Sequence, residues 1–151
     1  LPIYTTKAGG TLVTFAKRGD QELIVVDLCA HGYELYEDTI STLQNLKNRG
    51  YKLALCSNLA RYYGEQLKKL IPDLFDLIVL SYEVGHIKPE QQIYAMIETH
   101  FKCDMKEMLF IGDHPVLDVE KPISLGMNAR IINRHQEQNL LDVLGDLITR
   151  Q

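Results

Sequence analysis

Two aspartates in the second half of the chain have the residue type and spacing of a cation site. Asp113 and Asp118 stand five positions apart, and the apolar residues 108–111 run directly into Gly112 and Asp113. A buried strand that stops at a carboxylate places this charge at the carboxyl edge of an open α/β sheet, where such sheets bind ligands. Hard divalent cations such as Mg²⁺ prefer oxygen ligands of this kind. Two solvated aspartates at a strand end are the plainer interpretation of this segment alone.

Two upstream segments have the same design. The apolar residues 53–56 lead into Ser57 and Asn58, and the apolar residues 77–80 precede Lys88 by a short loop. Because parallel strands bring their carboxyl ends to one edge, we expect a hydroxyl, an amide, an ammonium group and two carboxylates to converge there. The structural alternatives are Ser57 as a helix N-cap and Lys88 as a solvated lysine before a proline.

The ordered set resembles the motifs of the haloacid dehalogenase (HAD) superfamily of hydrolases. In that family a Ser or Thr closes a strand, a Lys (often Lys-Pro) follows, and the last motif is Gly-Asp-x-x-x-x-Asp. Ser57, Lys88, Asp113 and Asp118 match these positions, and the resemblance extends over residues 35–148. Each motif is weak alone, but their order and spacing are specific. The resemblance implies a three-layer, Rossmann-like α/β core with a parallel sheet.

The rest of the pattern agrees with this fold class. Short apolar runs alternate with helical periodicity, which predicts a parallel sheet with right-handed crossovers. The predicted strands are residues 23–28, 52–56, 77–80, 108–112 and 129–132. We interpret residues 1–22 as an N-terminal hairpin or appendage and residues 23–151 as the HAD-like core domain. The first segment, residues 1–22, fits the α/β pattern less well. It is interpreted as an edge appendage, a remnant of an insertion or a dimerisation arm, and the last of these leaves a homo-oligomer open.

Capping and breaking residues predict the helix boundaries. Asp38 with Thr39 offers an N-cap for the first helix. A proline at 89 opens a helix whose inward face is predicted to carry Ile93, Met96, Ile97 and His100. Pro122 lies where the family continues a helix, so we expect the helix after Asp118 to begin late or to be kinked.

The resemblance is weakest at the first motif. The family ends its first strand in Asp-x-Asp, in which the first Asp is the nucleophile and the second is the general acid and base. Asp27 falls at the nucleophile position, but Cys29 replaces the second Asp and His31 replaces the following Thr or Val. A thiol is a poor proton donor to a leaving alkoxide. A lone His near a strand end is more often structural than catalytic.

A second alignment of this region stays open. Residues 23–36 also resemble the last helix of the cap domain that relatives insert after the first motif. The nucleophile would then lie upstream of Leu1. Val25 and Val26 favour a strand, because β-branched residues suit strands better than helices. If Asp27 is the nucleophile, the short interval to Ser57 leaves no room for a sizeable cap domain, and the site is open to bulky as well as small phosphorylated substrates.

The resemblance also implies a metal site. Mg²⁺ would lie between Asp27, the backbone carbonyl oxygen of Cys29 and Asp113, with waters completing the coordination. Asp118 would hold one of those waters or orient Lys88. Two carboxylates beside a divalent cation stay ionised, because the cation offsets their repulsion.

The implied chemistry is phosphoryl transfer through an aspartyl-phosphate. Asp27 would attack the phosphorus, while the Ser57 hydroxyl and the Lys88 ammonium group stabilise the oxygens of the transferring group. Asn58 is a candidate phosphate contact, although support of its own loop is the alternative. His114 is a candidate substrate contact.

Composition excludes several other function classes. The chain has 151 residues, a formal net charge of −4 and scattered basic residues, which does not suggest nucleic-acid or anionic-membrane binding. No apolar run has the length of a membrane span. The three cysteines, Cys29, Cys56 and Cys103, show no metal-type pairing, so we expect free thiols in a reducing cytoplasm.

Two other functions share parts of this pattern. A non-catalytic member of the fold that serves as a binding or assembly module would explain Cys29. A receiver domain of the response-regulator type shares the aspartyl-phosphate chemistry, but the order of Ser57, Lys88 and Asp118 fits the hydrolases better. The hydrolase, as a Mg²⁺-dependent phosphatase, is the favoured interpretation.

Overall fold

The protein is built around a central parallel sheet. Its structure, a computed structural model, describes residues 11–13, 16–18, 21–28, 35–71, 73 and 75–148, and up to residue 28 it defines the backbone alone. Seven strands lie within these residues: β1 (Thr11–Val13), β2 (Ala16–Arg18), β3 (Gln21–Leu28), β4 (Tyr51–Ser57), β5 (Leu77–Leu80), β6 (Leu109–Gly112) and β7 (Asn128–Ile131).

The strand order places β3 in the middle of the sheet. The order is β5-β4-β3-β6-β7, with all of these neighbours parallel. Strands β1 and β2 pair antiparallel with β3. The predicted division of the chain after residue 22 falls inside β3 and stays a prediction.

Helices cover the sheet. The α-helices are α1 (Asp38–Asn48), α2 (Arg61–Leu70), α3 (Ser81–Val84), α4 (Gln91–Phe101), α5 (Lys121–Ser124) and α6 (Leu140–Ile148). Residues Pro115–Glu120 form a π-helical segment, and Met105–Glu107 and Arg134–Gln136 are short 3₁₀ turns. Each strand of the parallel order is therefore followed by a helical connection, as a right-handed α/β fold requires.

Alternating side chains of the central strands build two cores. In β4, Leu53 and Leu55 face α1, α2 and α6, whereas Ala54 and Cys56 face α4. In β6, Ile111 belongs to the first core and Phe110 to the second. Because both faces of the sheet are covered, the strands read as continuous apolar runs rather than as alternating ones. The predicted three-layer, Rossmann-like α/β architecture is confirmed.

Two helix predictions are wrong in detail. Asp38 lies inside α1 and does not cap it; its carboxylate instead accepts hydrogen bonds from Arg134 and from the backbone N–H of Leu140, at the start of α6. In α4, Tyr94 is fully buried, while Met96 is 37% exposed. Both differences arise from partners distant in sequence, which helical periodicity does not reveal.

Cys56 and Cys103 are buried, and Cys29 lies outside the described residues. Across the ranges given above, no helix is both long enough and apolar enough to span a membrane.

Candidate active site

The candidate site begins at the carboxyl end of β4. Ser57 is the last residue of this strand and is 1% exposed. The following helix, α2, begins only at Arg61, and its N-cap residue is Ala60. The interpretation of Ser57 as a helix N-cap is therefore wrong: the strand continues through it, and three residues separate it from the helix.

Asn58 holds the loop that carries the lysine. Its side-chain oxygen accepts from the backbone N–H of Lys88 at 2.8 Å, and its side-chain nitrogen donates to the carbonyl oxygen of Lys88 at 2.9 Å. The peptide bond between Lys88 and Pro89 is cis. Both ends of the Asn58 amide therefore position the Lys88 backbone, and any phosphate contact by Asn58 would use its remaining N–H.

Lys88 is not a solvated lysine, so that alternative is wrong. Its Nζ lies 2.8 Å from Oδ1 of Asp118, and the two side chains are only 2% and 3% exposed. The ring of Phe110 lies beneath the ammonium group, with 5.7 Å from Nζ to the ring centroid. A buried charge requires such a partner, because its hydration is lost.

The Asp118 carboxylate is fixed from two sides. Its other oxygen, Oδ2, accepts from the backbone N–H of His114 at 3.0 Å. Gly112 packs directly against it, and a Cβ atom at position 112 would overlap the Asp118 carboxyl group. A glycine is therefore required at position 112, because the Asp118 carboxyl group occupies the space of a side chain there.

The segment that carries Asp118 is a π-helical turn, and the α-helix that follows it, α5, begins only at Lys121, in agreement with the late start expected from Pro122. The turn begins at Pro115, where the missing N–H of proline costs nothing, and it continues through Pro122 into α5. His114 caps it: Nδ1 of the ring accepts from the backbone N–H groups of Val116 and Leu117.

Sequence reasoning missed Tyr94 as part of this arrangement. Its hydroxyl donates to the carbonyl oxygen of Leu117 at 2.6 Å, and its ring packs against Phe110 with 5.5 Å between ring centroids. Tyr94 therefore ties α4, which follows Lys88, to the turn that carries Asp118. A tyrosine in an otherwise apolar helix face is the only signal that the sequence offers for it.

Asp113 lies at the exposed rim beside this pair. Partial burial and then the neighbouring Asp118 carboxylate raise the pKa of Asp113 above its ordinary value, while the Lys88 ammonium group acts in the opposite direction. Removing hydration and adding a like charge both disfavour the ionised form. A cation bound here would relieve both effects.

The backbone of β3 brings Asp27 to the same rim. Val26 pairs with Ile111 in the parallel register of β3 and β6, so Asp27 and Gly112 are the next positions on the two strands. The side chain of Asp27 is not described, and Cys29 and His31 lie outside the described residues. Their predicted roles stay predictions.

The residues present suit a divalent cation. Asp113 offers a carboxylate whose ionised form is disfavoured by burial and by the Asp118 carboxylate, two effects that a bound cation would offset. No group of three or more His, Cys, Asp or Glu side chains that could hold a metal ion occurs in the described part of the chain. A complete oxygen shell therefore needs a further ligand, and the end of β3 is the place from which Asp27 and the Cys29 carbonyl would supply it.

Comparisons with known proteins point to one family. A family model of haloacid dehalogenase-like hydrolases matches residues 3–122. A glyceraldehyde 3-phosphate phosphatase of Methanothermobacter thermautotrophicus is 32% identical over 118 residues, which cover 72% of this chain and 52% of the relative. A pyrophosphatase PpaX of Bacillus thuringiensis is 31% identical over 83 residues, which cover 54% of this chain and 38% of the relative.

Solved structures show the same fold. A HAD phosphatase from Thermococcus onnurineus superposes with a TM-score of 0.64 at 31% identity, covering 74% of this chain and 59% of that one. A HAD family enzyme from Bacteroides thetaiotaomicron, solved in complex with magnesium and inorganic phosphate, superposes with a TM-score of 0.55 at 26% identity. The superposition covers 62% of this chain and 51% of that one.

The chain spans about half the length of the first of these curated relatives and 38% of the second. The family-model match, residues 3–122, nevertheless includes the four residues of the rim, Ser57, Lys88, Asp113 and Asp118. With the fold, the ordered motifs and the family model in agreement, the chain belongs to the haloacid dehalogenase-like hydrolases.

Proposed function

We propose that this chain forms the core of a Mg²⁺-dependent phosphatase that hydrolyses phosphoric monoesters through an aspartyl-phosphate. The observation that carries the proposal is the buried pair of Lys88 and Asp118 between the end of β4 and Asp113. A buried ammonium group at a sheet rim is well placed to neutralise a transferring phosphoryl group. The relatives named as phosphatases support the reaction class.

Asp27, the Cys29 carbonyl oxygen and Asp113 would hold Mg²⁺, which supplies charge neutralisation for the phosphate oxygens when bound. Asp118 would contribute through a water or through its effect on Lys88. The raised pKa of Asp113 supports this assignment, because burial and the Asp118 carboxylate disfavour its ionised form more than Lys88 favours it.

The protein's own groups then have distinct roles. A carboxylate oxygen of Asp27 attacks the phosphorus, and the bond to the leaving oxygen breaks, which leaves an aspartyl-phosphate that water hydrolyses. The Ser57 hydroxyl and the Lys88 ammonium group bind the equatorial oxygens. Asn58 and Asp118 keep Lys88 in place through its backbone and its side chain.

Proton transfer to the leaving oxygen is the step that this chain supports least. Cys29 stands where the family has its general acid, and general acid–base catalysis contributes roughly 10²–10⁴-fold. We therefore expect slow turnover that is fastest with good leaving groups. The substrate would be a phosphorylated small molecule, or a bulkier phosphate ester if the site is open.

The direct test is turnover of p-nitrophenyl phosphate with and without Mg²⁺. The wild-type chain should show Mg²⁺-dependent hydrolysis, and Asp113→Asn should reduce it by about 10²-fold or more, because a ligand charge is lost. Asp73→Asn, the same substitution at an exposed aspartate away from the rim, is the matched control and should behave as wild type. Equal activity of Asp113→Asn and wild type would contradict the site.

A binding or assembly module is the second candidate, and Cys29 at the general-acid position favours it. Such a protein would bind inorganic phosphate or Mg²⁺ at the same rim without turnover. Calorimetric binding of phosphate by wild type, loss of that binding in Lys88→Met, and no hydrolysis of p-nitrophenyl phosphate would favour the module over the enzyme.

A further inference from the structure

His114 has a tautomer that its hydrogen bonds determine. The backbone N–H groups of Val116 and Leu117 both point to Nδ1, at 3.2 Å each. A backbone N–H can only donate, so Nδ1 accepts with its lone pair. In the neutral imidazole the proton therefore resides on Nε2, which becomes a hydrogen-bond donor.

His114 lies beside the candidate site. His114 follows Asp113, and its own N–H donates to Asp118, the partner of Lys88. The residue is exposed, and with Nδ1 turned toward the π-helical segment, Nε2 lies on the other side of the ring. Within the ranges that the structure describes, no group accepts a hydrogen bond from Nε2.

We propose that His114 is a specificity-determining residue whose Nε2–H binds an acceptor oxygen on the alcohol portion of the substrate. This inference rests on the proposed phosphatase function. The phosphoryl group is assigned to the inner part of the rim, near Ser57 and Lys88, which are both buried. His114 is on the solvent side of that position, so it meets the group to which the phosphate is esterified.

The substrate class follows from the chemistry of the donor. A neutral N–H at the mouth favours phosphate esters of hydroxylated alcohols, which carry acceptor oxygens close to the ester bond. It offers little to an ester with a purely hydrocarbon leaving group. The donor therefore changes the relative rates of two such substrates rather than the chemistry on phosphorus.

A purely structural role of His114, as the cap of the π-helical segment, can be separated from this one by two substitutions. The side-chain oxygen of Asn lies near the position of Nδ1 and accepts from the same backbone N–H groups, so His114→Asn keeps the cap and loses the donor. The amide nitrogen of Gln reaches the position of Nε2, so His114→Gln retains a donor there.

The experiment compares kcat/KM for glycerol 3-phosphate and phenyl phosphate, with Mg²⁺. His114→Asn should lower the ratio of the two values (glycerol 3-phosphate over phenyl phosphate) by about five- to tenfold, the effect of one neutral hydrogen bond. His114→Gln should restore most of the ratio. His100→Asn, the same change at the exposed histidine near the end of α4, should leave the ratio unchanged.

A spectroscopic readout is independent of turnover. Long-range ¹H–¹⁵N correlation spectra of the protein near pH 8 should show the His114 ring protonated at Nε2 and unprotonated at Nδ1. A proton on Nδ1, or an unchanged ratio in His114→Asn when the wild type turns over both esters, overturns the inference alone. Absence of Mg²⁺-dependent turnover of either ester by the wild type overturns the proposed function, and the inference with it.

Discussion

Lys88 and Asp118 form a buried ion pair, with 2.8 Å between Nζ and Oδ1 and with both side chains almost fully removed from solvent. The two residues come from different loops at the carboxyl edge of the sheet. The pair therefore joins the end of β5 and its loop to the end of β6. Its strength depends on both partners, because either charge alone would be buried without compensation.

Removal of one partner should destabilise the protein strongly. Lys88→Met leaves the Asp118 carboxylate buried and unpaired, and Asp118→Asn does the same to the ammonium group, so we expect a loss of about 3–5 kcal/mol in the free energy of unfolding for each. Urea denaturation at pH 7 measures it.

The control for this prediction is an exposed pair of similar geometry. Lys68 and Glu83 lie 2.7 Å apart, but their side chains are 34% and 38% exposed. Lys68→Met should change the free energy of unfolding by less than about 1 kcal/mol, since solvent screens the pair. Equal effects of Lys88→Met and Lys68→Met would mean that the Lys88 pair is not buried in solution.

Asp113→Asn should stabilise the metal-free protein. The pKa of Asp113 in the folded state is raised above its ordinary value of 3.8, first by burial and then by Asp118. The folded protein therefore holds this proton more tightly than the unfolded chain does, and the resulting stability is lost as the pH rises through the folded-state pKa. At neutral pH the ionised carboxylate destabilises the fold. The gain from Asp113→Asn should be below about 1 kcal/mol, because the side chain is partly screened by solvent.

Two measurements check the Asp113 prediction. Thermal unfolding without Mg²⁺ should give a higher Tm for Asp113→Asn than for wild type at pH 7, with the difference disappearing toward pH 4. Addition of Mg²⁺ should raise the Tm of wild type more than that of the variant, because a cation that binds only the folded state stabilises it by mass action. A lower Tm of the metal-free variant at pH 7 would contradict the assigned cause of the shift.

The convergence of the site could be predicted from the sequence because it depends on a simple rule of topology. Ser57, Lys88 and Asp113 each follow a continuous apolar run, and parallel strands place such positions at one edge. Each apolar run is a local feature of the sequence, so the runs alone were enough to predict where the strands end. The structure accordingly places Ser57, Lys88, Asp113 and Asp118 at this edge.

The groups that hold the site could not be predicted in the same way. Asp38 pairs with Arg134, 96 positions away. The N-cap interpretation used only neighbouring residues, which do not reveal that contact. Tyr94 was not predicted because the helical spacing of Ile93, Met96 and Ile97 does not include position 94. The Tyr94 hydroxyl is satisfied by the Leu117 carbonyl oxygen, a partner that only tertiary structure provides. Buried polar groups are specified by such pairings rather than by sequence windows.

Gly112→Ala should disrupt the site while a second glycine tolerates the same change. A Cβ atom at position 112 would overlap the Asp118 carboxyl group, so Asp118 must move away from Lys88. We expect a loss of about 2 kcal/mol or more in stability, typical of overpacking, together with loss of Mg²⁺-dependent turnover. Gly145→Ala in α6 meets no atom within 4 Å and should stabilise the helix by about 0.5–1 kcal/mol. Chemical denaturation of both variants measures the contrast; a neutral Gly112→Ala would mean that position 112 has more space than the structure shows.

Tyr94→Phe tests whether the missed tyrosine positions the site or only stabilises the fold, and Tyr51→Phe is its control. Both hydroxyls donate to backbone carbonyl oxygens, that of Tyr94 to Leu117 and that of Tyr51 to Leu147. The free energy of unfolding of each variant should fall by about 1–3 kcal/mol, because a carbonyl oxygen is left without its donor. Only Tyr94→Phe releases the turn that carries Asp118. It should therefore speed amide hydrogen exchange of residues 116–120 and lower Mg²⁺-dependent turnover, whereas Tyr51→Phe should leave both unchanged at a temperature where each variant is folded. If the two variants lose turnover equally, general stability accounts for the effect, and Tyr94 has no positioning role.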